Sequence, residues 1–247
     1  MRKLVNKQIG TISLFLSLIL VLIVTSLSQI VSADGVAGSP VLGNNSYFLH
    51  SNGSILFPNL FLNTIAPAEI ATKFKPQKFK DSGGVDFNRG NLWKEIGTWK
   101  TSSVGTDIVL TGLSPLHVWV VLKNSDDIGT QFDLRADIIK KSGASESIVA
   151  SNLTRCIIGV GRSPHKAKEI IVGLGDVPDA SFATGDVMFL RIFTRIGTRP
   201  DNKKCFPPKG GAHNNAVGLS VYHDSKSRPA RFGANFTSGG APPPPLP

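Results

Sequence analysis

A chain of 247 residues with 25 glycines and 16 prolines has the length for one large β domain or two small ones, which excludes a fold too small to bury its own core. The formal charge is +10, and it is still +7 once the first 33 residues, which carry Arg2, Lys3 and Lys7 and no acid, are set aside. A surface of that sign suits an anionic polymer at a cell envelope as well as nucleic acid, and the leader described next argues against nucleic acid.

Three basic residues precede a long apolar run, Ile9 to Val24, and Val31-Ser32-Ala33 then offers the small-residue pattern that signal peptidases accept. Residues 1–33 therefore read as a signal peptide, with a mature chain starting at Asp34, or as an uncleaved N-terminal anchor helix, which would be the only membrane contact. In both cases the remainder is exported and is expected to be secreted or held at the cell surface.

Residues 34–90 form an N-terminal extension. Tyr47 to Leu49 and Ile55 to Leu62 are short strand candidates separated by the hairpin signal Asn52-Gly53, and Ala66 to Phe74 can form a helical turn. Lys73 to Lys80 reads KFKPQKFK, basic residues interleaved with aromatics, but Pro76 interrupts any strand there. It reads as a solvated connector with one or two phenylalanines docked on the domain.

The main domain spans 91–236. An unbroken apolar run, Val118 to Leu122, is followed by the turn-prone Lys123 to Thr130. From Gln131 the pattern alternates, with Phe132, Leu134, Ala136 and Ile138 against Asp133, Arg135 and Asp137. The two runs look like paired antiparallel strands from the middle of a sandwich. Further strands are expected at Asp107–Thr111, Ser147–Ala150, Leu153–Val160, Glu169–Leu174, Val187–Ile196, Val217–His223 and Arg231–Phe236. Gly, Pro and Asp cluster between them. The class is all-β, an antiparallel β-sandwich of jelly-roll kind. Residues 237–247 end in a Gly/Pro-rich tail of linker composition.

The segments NSDDIGTQFDLRADI, TRIGT, HNNAVGLSVYHDS and SRPARFG resemble a domain recurring in exported bacterial and archaeal proteins of no assigned activity. The resemblance implies export and a β-rich fold, and it brings no catalytic residues. More remotely, the strand pattern is similar to jelly-roll carbohydrate-binding modules, at the level of fold alone.

Cys156 and Cys205 form an even pair in the exported part and are expected to be bonded. Closing a loop of that length is worth about 4 kcal/mol before strain is subtracted. Asn124, Asp126 and Asp127 are the candidate calcium ligands, because that ion takes several oxygens converging from loops. Ile128 and Arg135 fall where an EF-hand needs ligands, and an Asx-rich turn bonding its own backbone is the ordinary alternative. No other cofactor is indicated. The hydrolase signals are poor: the Ser163-Pro164-His165-Lys166 spacing lacks its companion motifs, and the five histidines have no zinc spacing.

Trp93, Trp99 and Tyr222 are the aromatics suited to stacking on a sugar, with His213 near Tyr222 as a polar neighbour. Trp119, in the most apolar strand, is assigned to the core. Trp93 and Trp99 are six residues apart and share a face if the strand runs unbroken through Gly97. The expected function is a non-enzymatic surface module that binds glycan or another envelope component. A purely structural spacer is the alternative, and an extracellular hydrolase comes third.

Overall fold

The computed structural model describes residues 36–53, 58–68, 78–159, 161–205 and 213–240. The leader, its cleavage site, most of the expected Ala66–Phe74 turn and the end of the Pro-rich tail lie outside these residues. Among the described residues, no helix is long and apolar enough to cross a membrane.

Among the described residues, fifteen strands carry the fold. The first six are β1 (Gly43–Gly53), β2 (Pro58–Asn63), β3 (Lys78–Asp81), β4 (Val85–Asp86), β5 (Lys94–Lys100) and β6 (Ile108–Leu113). Then follow β7 (Leu116–Leu122), β8 (Gln131–Ser142), β9 (Ser145–Ile158), β10 (Lys168–Val172) and β11 (Ala180–Phe182). The last four are β12 (Val187–Ile196), β13 (Asn215–Ala216), β14 (Leu219–His223) and β15 (Arg231–Ser238).

Thirteen of them make one large, mixed but mostly antiparallel sheet in the order β3-β14-β7-β15-β1-β2-β5-β12-β8-β9, with β10 beside β7, β6 beside β15 and β11 beside β6. The parallel exception is a single rung between β2 and β5, Phe61 opposite Lys100. Strands β4 and β13 pair separately. Strands β1 and β2, which precede position 91, are inner strands of the large sheet.

The central expectation needs correcting. Strands β7 and β8 are not partners: β7 pairs with β10 and β14, and β8 pairs with β9 and β12. Period-2 alternation fixes which face of a strand is buried but says nothing of its neighbour. The alternation itself holds on the inner side, where Phe132, Leu134, Ala136 and Ile138 have no exposed surface. In β12, Met188, Leu190, Ile192, Thr194 and Ile196 point inward while Val187, Phe189, Arg191, Phe193 and Arg195 stay half-exposed. The core is one cluster that draws on strands from both ends of the sheet, Val221 on β14 and Ile138 on β8 among them. A sheet this wide reaches that state by curling around its own apolar face.

Two bulges shape the part that matters for function. On β5, Gly97 lies opposite Ile192 while Glu95 lies opposite Phe193, so Ile96 is the extra residue. Ile96 and Gly97 are consecutive and both buried, so the alternation slips by one. A Cβ at Gly97 would come within 2.9 Å of Leu60 and 3.0 Å of the Trp99 ring, which is why glycine occupies this position. On β9, Thr154 faces Leu134 and Ile157 faces Phe132, leaving Arg155 and Cys156 opposite the single residue Asp133. Cys156 takes φ 54° there, left-handed backbone for a residue that is not glycine.

Candidate functional site

The slip at Ile96 sends the two tryptophans to opposite sides, so the shared face expected from their spacing is not realised. Trp99 is fully buried in the core. Trp93 stays half-exposed on the outer face, with its ring centroid 4.4 Å from the guanidinium carbon of Arg195 and 4.9 Å from that of Arg135. Arg135 also lies 4.4 Å from the Phe193 ring. The cross-strand registry Phe193–Arg135 and Arg195–Asp133 places these groups side by side. Further along the same strands, Arg191 bonds Glu146 at 3.1 Å and Lys141 lies 5.6 Å from the Phe189 ring. The outer face of β12 and β8 is therefore a ribbon of alternating rings and cations.

Buried carboxylates hold this ribbon in place. Asp137 binds Arg135 at 3.1 Å and accepts the Ser151 hydroxyl at 2.6 Å. Asp133, with no exposed surface, accepts Nε of Arg195 at 3.1 Å, the Thr198 amide and hydroxyl, and the Cys156 amide at 3.1 Å. Arg155 approaches the same carboxylate at 3.8 Å. A buried charge needs paired, hydrogen-bonded surroundings of this kind. The sequence shows Asp133 only as a polar residue on a wet face, since nothing in its local pattern reveals that a bulge and a distant turn converge on it.

The expected disulfide is present: Cys156 and Cys205 are bonded, with alpha-carbons 5.8 Å apart. It fastens the β9 bulge to the turn after β12, where Thr198 bridges Lys204 and the Cys205 amide donates to Gly197. Disulfides persist outside the reducing cytosol, so the bond is consistent with an extracytoplasmic protein.

The other sequence-derived candidates do not gather at one place. Tyr222 is 7% exposed and packs against Phe79 of β3, and burial raises its phenol pKa, helped by the nearby Asp81 charge. His213 is exposed and borders a small cavity with Thr130 and Cys205. Trp119, assigned to the core by its apolar strand, instead alternates outward, half-buried, with Arg228 5.2 Å from its ring. The candidate calcium ligands sit on a single 3₁₀ turn, Ser125–Asp127. Asn124 caps that turn by accepting the Asp126 amide, and buried Asp127 accepts the Val217 amide at 2.9 Å. The oxygens of Asn124 and Asp127 are thus engaged by backbone, as in an ordinary Asx turn.

A serine, two histidines and an aspartate meet elsewhere, unforeseen from the sequence because they come from opposite ends of the chain. His223 bonds the Ser51 hydroxyl at 2.9 Å, while Asp224 binds a different ring, that of His50, together with the Ser51 amide and Lys78. Burial lowers the His223 pKa to about 4 against the raising charge of Asp224. Burial also pushes Asp224 up, but hydrogen bonds from His50 and Ser51 and the histidine charges outweigh it, and its pKa is lowered. Ser51 is 7% exposed and its histidine partner is not oriented by the acid, so the group lacks the relay of a nucleophilic triad. It is a clasp between β1, β3 and β14.

No protein-family model matches the chain, and no curated protein matches it. Among solved structures it is similar to an aminopeptidase from a marine sediment Thaumarchaeota archaeon, at 13% identity and TM-score 0.48, covering 81% of this chain and 38% of that one. A CocE/NonD family hydrolase from Staphylococcus aureus aligns at 13% identity and TM-score 0.49, covering 80% of this chain and 37% of the other. An alpha-amino acid ester hydrolase aligns at 11% and 0.49, over 78% and 36%. The chain thus spans under two-fifths of the length of these enzymes.

Proposed function

We propose that the chain is a non-catalytic, exported β-sandwich module of jelly-roll kind that holds an anionic glycan or similar envelope polymer against the outer face around Trp93. The observation that carries this reading is a half-exposed indole with two guanidiniums over its ring, both tied to buried carboxylates. An indole held in one orientation offers the part of its surface that the guanidiniums leave uncovered to a sugar at little entropic cost. The guanidinium groups over its ring suit carboxylate or sulfate substituents. The curled sheet with one core supports the sandwich architecture, and the excess of basic residues supports an acidic ligand.

Affinity electrophoresis of residues 34–247 through gels containing polygalacturonate, with uncharged dextran as the control, tests the reading. Retardation by the acidic polymer that Trp93→Ala abolishes is expected. Equal migration in all gels sinks it.

A further inference from the structure

We propose that reducing the Cys156–Cys205 bond converts its surroundings into a binding site for a thiophilic divalent cation of the zinc class. One sulfur from each cysteine and a carboxylate oxygen of Asp133 lie within 4.8 Å of one another. Tetrahedral zinc with metal–sulfur bonds of about 2.3 Å needs its two sulfurs about 3.8 Å apart, a separation that opening the bond allows within that space. Cys205 also borders a cavity of about 10 Å³ lined by Thr130, Gln131 and His213, room for one water or one ligand atom as the fourth ligand. The Thr130 hydroxyl is buried there without a hydrogen-bond partner.

Both cysteines keep their positions when the covalent tie is cut. The Cys156 amide is held by Asp133, and the Cys205 amide donates to Gly197 at 2.9 Å. Within that second turn, Arg199 donates to the Lys203 carbonyl at 2.8 Å. The site is therefore preorganised by hydrogen bonds that do not depend on the sulfur–sulfur link. Arg155 and Arg195 beside Asp133 favour thiolate over thiol. Two thiolates and Asp133 against two guanidiniums leave a net negative charge for the cation.

The chemistry balances with a dithiol reductant. It delivers two electrons and two protons, the sulfur–sulfur bond breaks to two thiols, and the reductant departs as its own cyclic disulfide. The cation then displaces the two thiol protons to solvent.

The test reduces residues 34–247 with a dithiol, removes it by gel filtration under argon and titrates with Co²⁺. One equivalent bound per chain is expected, with a sulfur-to-cobalt charge-transfer band that Zn²⁺ abolishes and that neither the oxidised protein nor Cys205→Ser shows. Circular dichroism of the reduced protein is recorded first, and loss of the β-sheet spectrum overturns the proposal because the site needs its cysteines placed. A folded, reduced protein without the band overturns it too, as does equal Co²⁺ binding by the oxidised form.

Discussion

Asp133 and Thr198 are joined by three hydrogen bonds across 65 positions of sequence: the Thr198 hydroxyl donates to one carboxylate oxygen at 2.7 Å, and its amide donates to both oxygens at 3.1 Å. The same carboxylate neutralises Arg195, which supports Trp93. Asp133→Asn keeps the shape but removes the charge, leaving Arg195 without its counter-ion. Breaking a buried pair from one side costs about 3–5 kcal/mol, so the urea midpoint should fall accordingly. A midpoint unchanged within error would show the network to be dispensable.

The clasp around Asp224 sets an acid limit. His223 is neutral in the fold, with a pKa of about 4, and takes up a proton near 6.5 once unfolded. The unfolded state therefore binds more protons between those values, and stability falls as pH drops from about 6.5 to 4, by an amount on the order of 3 kcal/mol. Asp224, lowered in the fold, adds stability above the ordinary carboxylate range that is lost as pH falls through its folded value. Urea midpoints measured from pH 7 to 4 should trace this decline, and His223→Gln should flatten it above pH 4. A wild-type midpoint that does not move over that interval refutes the assignment.

The two tryptophans should separate cleanly by substitution. Trp99→Ala empties a fully buried site and should cost about 3–5 kcal/mol. Trp93→Ala removes two cation–ring contacts worth about 0.5–1 kcal/mol each, so its melting temperature should change little while retardation by polygalacturonate disappears. Comparable destabilisation by both would place Trp93 in the core.

How much of this was legible depended on whether a feature is local. Strand β12 was readable to its ends, and the inner face of β8 was readable residue by residue, because both obey an uninterrupted period of two. The separate pairing of β7 and β8 is not legible, since an apolar run and an alternating run joined by a short polar turn look alike whether they pair or part. Spacing alone puts Trp93 and Trp99 on one face, because the extra residue at Ile96 has no signature beyond the neighbouring glycine. Asp133 was seen only as a rung on a polar ladder: its partners Thr198 and Arg195 are brought to it by β12, more than sixty positions away.

Cutting the disulfide in the absence of metal should cost roughly 2–4 kcal/mol, lowering the melting temperature by roughly 5–15 °C for a unit of this size. Differential scanning calorimetry with and without a phosphine reads the shift, and hydrogen exchange should quicken first between Thr198 and Cys205. Exchange quickening uniformly across the sheet would mean the bond supports the whole fold instead.

The position of β1 against β15 has a mechanical consequence. Gly43, the first residue of β1, lies opposite Phe236 near the end of β15, and the two strands run antiparallel. Tension between Gly43 and Phe236 would then act at one end of the β1–β15 ladder, along its hydrogen bonds rather than across them, while β6 holds the other edge of β15. The rungs of that ladder would open one after another, like a zipper, starting at Gly43 and Phe236. A domain threaded this way yields at low force, which suits a module mounted beside its neighbours more than a rod strung between them.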